Sequence, residues 1–159
     1  MTGDERAMLT VWLDYQRATL LWKCEGVSGP DLARKGIPPS NLSLLGLLRH
    51  MTLVEWSWFQ KVFSGDPTPQ PFSTDEDADA DFNDLDPDRV DEDMAAFLRQ
   101  CEVSRAIVAS AGSLDQEAAN PRGDAVSLRW IMVHMIEEYA RHNGHADLLR
   151  ELIDGAVGE

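Results

Sequence analysis

Basic side chains are scarce in this chain of 159 residues: 14 Lys and Arg stand against 28 Asp and Glu, a formal charge of −14. Phosphate backbones need a basic face to bind, and anionic membrane surfaces attract polybasic segments, so neither nucleic acid nor a membrane is an expected partner. No apolar run approaches the roughly 20 residues that span a bilayer. Cysteine is nearly absent, with only Cys24 and Cys101, each inside an apolar helical pattern. Two such thiols do not call for a disulfide framework, and core packing in a reducing compartment is the simpler expectation. The opening stretch Met1 to Arg6 lacks the charged-then-apolar build of a secretory signal, so the expected location is cytoplasmic. Gly-x-Ser-x-Gly, P-loop and dinucleotide fingerprints are missing, which removes the chemistries they serve. There is no repeat of fixed period.

What is present is an apolar core supply, 43% of the residues, enough for one packed domain over 1–159. The acid is unevenly placed. Between Asp66 and Asp93 there are 12 Asp and Glu and one basic residue, Arg89, leaving sixteen acidic and thirteen basic side chains elsewhere. A near-neutral domain therefore carries one acidic segment. Within it, the run Asp75 to Asp81 has the look of a calcium loop. An EF-hand counted from Asp77 needs Gly and Glu where Phe82 and Asp88 stand, so the expectation is a solvated loop.

Nearly everywhere the apolar period is that of a helix. Four stretches are expected, at about 4–25, 41–64, 87–112 and 125–154. The first has Met8, Trp12, Tyr15, Thr19 and Trp22 as its apolar stripe. Ser40 or Asn41 is a cap for the second, whose stripe reads Leu44, Leu47, His50 and Met51, Val54, Trp58 and Val62. Asp86 and Pro87 open the third, with Val90, Met94, Phe97 and Cys101 inward. No segment has a convincing strand pattern. The predicted fold is an all-α four-helix bundle with a long acidic loop between its second and third helices. Link lengths alone do not fix the directions of the helices. The tryptophans are expected in the core or at a subunit interface.

The fourth helix holds the informative anomaly. Its stripe runs Leu128, Ile131, Met135, Glu138, His142, Ala146, Leu149, Ile153, with steps of three and four that keep one face. Two ionisable members stand one turn apart in the middle, and a buried carboxylate needs a cation or a proton. His50 interrupts the second helix in the same way. If these helices pack together, His50, Glu138 and His142 meet around a metal. Two imidazoles and one carboxylate suit Zn²⁺, Ni²⁺ or Fe²⁺ and leave coordination positions for water or substrate. Gly46, one turn before His50, would let the helices approach closely. The same residues admit a plainer reading, with core histidines and Glu138 paired to Arg141, Arg49 or Arg129. His134, offset by roughly 40° from Glu138 on the helix, is an alternative ligand, and His145 a neighbour that orients one.

The segment Pro39 to Met51, followed by Trp58 and Phe59, resembles the second helix of the DinB-like (DinB/YfiT) superfamily, and Val133 to His145 resembles its last helix. Over the first 155 residues or so, with 66–86 the least matched, the resemblance implies a four-helix bundle, a homodimer, and a metal triad drawn from those two helices. Many members carry histidine where Glu138 stands. The Glu form is similar to the metal-binding domain of mycothiol-dependent maleylpyruvate isomerases, and carried over residue by residue it implies His50, Glu138 and His142 as ligands. It further implies transfer or isomerisation of small-thiol adducts, of mycothiol or bacillithiol type, with a small-molecule substrate. In such a reaction His145 and His134 are the candidate proton carriers. The rival readings are a non-catalytic metal- or ligand-binding bundle and a metal-dependent hydrolase.

Overall fold

The computed structural model describes residues 3–74 and 76–158; Asp75, at the head of the calcium-like run, and the start Met1 and Thr2 lie outside them. Helix α1 is Glu5–Cys24. A short helix α2, Gly29–Leu32, follows in the link. Helix α3, Leu44–Glu55, continues without a break into a π-helix, Trp56–Phe63. Helix α4 is the single turn Ala80–Asn83, α5 is Val90–Ser110, and α6 is Leu128–Asp154. The four long elements are those read from the periodicity, and the molecule is a mostly helical bundle.

Cross-links give the directions. Arg129 of α6 bonds Glu5 near the start of α1, and Arg150 near the end of α6 donates to the carbonyls of Lys23 and Glu25 at the end of α1. Helices α1 and α6 are therefore parallel, and Arg150 places a cation where the α1 dipole is negative. Helix α3 runs against α6, since His50 meets His142 while Glu55, further along, meets Tyr139. It runs with α5: Arg49 meets Asp93 at the α5 start, while the strand Glu117–Ala119, in the link just after α5, packs against the π-helical end of α3. Because α3 and α5 are parallel neighbours, the chain between them must travel back along the bundle. That return path is the acidic segment.

Several boundaries differ from the expectation for local reasons. Ser43 caps α3 by accepting from the Gly46 N–H, while the Ser40 hydroxyl is already used by the Leu42 N–H. Helix α5 starts at Val90 because Asp86 to Arg89 form a turn of their own whose Pro87 carbonyl lies against Gly29; any side chain there would collide. Two three-residue strands, β1 Glu117–Ala119 and β2 Ala125–Ser127, pair antiparallel ahead of α6, with Ala118 opposite Val126. Ser127 then caps α6, and Gly155 ends it in the left-handed region at φ 78°.

Two burial patterns correct the expected faces. On α1 the inward line is Leu9, Leu13, Arg17, Leu20 and Cys24, whereas Met8, Trp12, Tyr15 and Trp22 are exposed. Arg17 interrupts the true stripe, so the richer aromatic one drew the assignment. Arg17 is tolerated inside because its guanidinium grips the fully buried Glu55 through Nε (2.7 Å) and Nη2 (2.9 Å), and the Tyr139 hydroxyl donates to Glu55 Oε1 at 2.9 Å. Asp14 joins Arg17 and Arg105 at the edge of this network. On α3, Leu44, Leu45, Leu47, Leu48 and Met51 form a broad buried face, and Gly46 and Arg49 on the opposite side are buried as well. A helix buried on both sides needs a second layer of cover, and the acidic crossover supplies it. Gly46 serves that cover rather than an approach to α6: a Cβ on it would sit 2.8 Å from Phe82 Cδ1.

Candidate functional site

The solvated-loop expectation fails for part of the acidic segment. Ala80, Asp81 and Asp93 are buried. Arg49, itself buried, donates to the Ala80 carbonyl (3.2 Å) and to Asp93 (3.3 Å), and its guanidinium lies 4.3 Å from the Phe72 ring centre. Burial pushes the Asp93 carboxyl up, against the pull of Arg49. A single arginine thus knits two parts of the crossover and the start of α5 to α3. Asp77, Asp79 and Asp84 face solvent or pair locally.

Beside Arg49, His50 leans over the α3–α6 seam. His50, Glu138 and His142 each offer one ligand atom, and these atoms lie within 4.8 Å of one another. The His50 and His142 rings are 4.8 Å apart, and His142 Nε2 is 3.5 Å from Glu138 Oε2. Donors about 2.1 Å from a tetrahedrally held ion lie roughly 3.4 Å apart, so the spacing and chemistry of this set fit a divalent metal. The site is not in the deepest part of the bundle, as the stripe implied. Met135, Tyr139 and Ala146 form the buried line of α6, and Glu138 and His142 stand on its flank with side chains 17% and 12% exposed. The three groups therefore meet at a partly exposed rim.

His142 carries the resolved perturbation. Burial lowers its pKa to about 4, helped by His50, His145 and Arg141. The ring is neutral near pH 7, the form that ligates a metal. Its Nδ1 faces His145 Nδ1 at 3.4 Å.

On the other side of Glu138 stands His134, with Nε2 3.7 Å from Glu138 Oε1. It stacks on Trp130 at 4.8 Å and meets the edge of Trp58 at 4.9 Å. Trp58 and Trp130 contact each other at 5.1 Å, so three rings form a wall along one edge of the rim. His134, Glu137 and Glu138 also lie within ligand distance of one another, though Glu137 is exposed and already paired with Arg141. Of the expected partners of Glu138, Arg141 is near, at 3.8 Å. Arg49 and Arg129 are committed elsewhere, to Asp93 and to Glu5 and Asp115.

Neither cysteine belongs to the rim. Cys24 and Cys101 are free and buried, and burial pushes both thiols up to about 12. The residue that sequence reasoning missed is Asp81. Its Oδ2 lies 2.8 Å from His50 Nδ1 in a part-buried pair whose aspartate side is buried. The only sequence signal for it was an aspartate beside two apolar neighbours, Ala80 and Phe82, inside a run of acids.

No helix among the described residues is long and apolar enough to cross a membrane. A family model described as Mycothiol-S-transferase matches residues 8–155. No curated protein and no solved structure matches the chain.

Proposed function

Because the chain belongs to the mycothiol-S-transferase family, a DinB-like group, we propose that it is a divalent-metal-dependent enzyme that transfers a small thiol of mycothiol or bacillithiol type to an electrophile, or isomerises such an adduct. The observation that carries this reading is the meeting of His50, Glu138 and His142 within 4.8 Å at a partly exposed rim. Those three side chains would hold the ion, with Zn²⁺ the first choice for two imidazoles and a carboxylate and Ni²⁺ or Fe²⁺ compatible. A bound divalent cation would lower the pKa of an entering thiol and so supply a thiolate near neutral pH.

The chain's own groups would do the rest. His142 enters the site already neutral. The proton leaving the thiol sulfur would pass to His134 Nε2 on one side or to His145 on the other. The Trp58, Trp130 and His134 rings would wall the site on one edge. The reacting sulfur is the small thiol's, since Cys24 and Cys101 are buried and held as thiols. We place the chain in the cytoplasm, where both would stay reduced.

The test begins with protein purified without chelator and reloaded with Co²⁺. Adding the thiol is expected to change the visible absorption, and the loaded protein is expected to consume an electrophile such as monobromobimane only when the thiol is present. A cobalt spectrum indifferent to thiol would favour a non-catalytic metal-binding bundle. Ester or amide turnover without thiol would favour a hydrolase.

We also propose a homodimer, with the second copy on the exposed α1 face of Met8, Val11, Trp12 and Tyr15. A contiguous apolar face of this kind marks an interaction surface. Sedimentation is expected to give a dimer for the wild type and a monomer for Trp12→Glu; a monomeric wild type would remove this contact.

A further inference from the structure

Resting on the metal reading above, we infer that Asp81 is a positioning residue of the same site: it holds His50 in the tautomer whose Nε2 is free for an ion, and so ties metal capture to the docking of residues 80–83 on α3. The contact is direct. Asp81 Oδ2 is 2.8 Å from His50 Nδ1, and the Asp81 side chain is 3% exposed against 25% for the histidine. The other carboxylate oxygen, Oδ1, accepts the Phe82 N–H at 3.1 Å, which fixes the group on its own backbone. The Phe82 ring lies 4.9 Å from the His50 ring at a tilt of 31°. The imidazole is thus held at its Nδ1 edge and on one face by consecutive residues of the crossover.

An acceptor at Nδ1 selects the Nδ1–H tautomer and leaves the Nε2 lone pair unprotonated. A carboxylate in that place also raises the donor strength of the opposite nitrogen, and removing such a partner costs about 10–100-fold in metal affinity. The register of α4 makes the arrangement more than a single contact. Ala80 meets Arg49, Asp81 meets His50, and Phe82 fills the space over Gly46. Linkage is reciprocal: an ion on Nε2 strengthens the bond from Nδ1–H to Asp81 and steadies the crossover, and a docked crossover favours the ion.

The first measurement uses metal-free protein at mildly alkaline pH, where imidazoles are neutral. Side-chain ¹⁵N–¹H correlation spectra are expected to show His50 as the Nδ1–H tautomer in the wild type and to lose that preference in Asp81→Ala. The second measures zinc affinity by chelator competition. Asp81→Ala is expected to bind about 10–100-fold more weakly. Asp81→Asn, which keeps an acceptor without its charge and is the fallback if the alanine variant does not fold, is expected to recover part of the loss. Arg49→Met removes the bonds to the Ala80 carbonyl and to Asp93 while leaving the Asp81 carboxylate, and is expected to bind zinc more tightly than Asp81→Ala. An Nε2–H His50 in the wild type, wild-type zinc affinity in Asp81→Ala, or equal losses in Asp81→Ala and Arg49→Met would each overturn the positioning role. A wild type that takes up no zinc overturns the metal reading and the linkage with it, while the tautomer of the metal-free protein decides the Asp81–His50 contact by itself.

Discussion

Glu138→Ala protein, purified without chelator, should emerge nearly free of transition metal where the wild type carries close to one ion per chain. Glu138 supplies the only anionic donor among the three groups that converge within 4.8 Å. Its removal leaves two imidazoles, one from each helix, with no charge to offset the desolvation of a dication. Loss of a partner one shell further out already costs about 10–100-fold in affinity, so loss of a direct ligand should exceed the upper end of that range. His142→Ala should do the same, since its Nε2 lies 3.5 Å from Glu138 Oε2 on the adjacent turn. Glu138→His is the sharper variant. It rebuilds the pair of histidines four apart that many DinB-like chains carry, and it should retain metal with a preference shifted toward ions that favour nitrogen. Elemental analysis of the three variants beside the wild type decides the matter, and full metal content in Glu138→Ala would remove Glu138 from the site.

Arg17→Met should lower the melting temperature by on the order of 10 °C. The variant leaves Glu55, which is wholly buried, without the two charge-assisted bonds of 2.7 and 2.9 Å that now hold it. Stranding one partner of a buried ion pair costs about 3–5 kcal/mol, and a domain of this size loses roughly 2–4 °C per kcal/mol. Tyr139→Phe removes a single hydrogen bond to Glu55 and should cost less, about 1.5–3 kcal/mol. The double variant Arg17→Met with Glu55→Leu removes both charges and should regain much of the loss, because paired apolar replacements in such places are often near neutral. Thermal melts followed by circular dichroism provide the comparison. A double variant no better than the single one would show that the cost comes from packing rather than from the stranded carboxylate.

The network behind that second result also explains which parts of the fold were legible. The four long helices were readable from apolar period alone, and so was the pairing of His50 with Glu138 and His142, because ionisable residues on two apolar stripes demand a common explanation. The α1 face was misread because its true stripe contains Arg17, whose partner Glu55 lies on another helix and 38 residues away. A charge inside a stripe looks like solvent exposure until its counter-charge is known. Asp81 was hidden for the opposite reason, as one acid among a dozen, with nothing local to mark it as buried. The hairpin was missed because three-residue strands are too short to establish an alternation. Helix direction stayed open because each link was long enough to serve either way.

Direction also decides how such a molecule can diversify. With α3 and α5 side by side and pointing the same way, the longest connector is obliged to pass the rim, and it does so with Ala80, Asp81 and Phe82 against α3. Insertions and deletions are most easily accepted in connectors, so here the part of the chain freest to change length also borders His50. A change of length in residues 64–79, upstream of that border, would re-cut the surroundings of His50 while the helices that carry His50, Glu138 and His142 stay as they are.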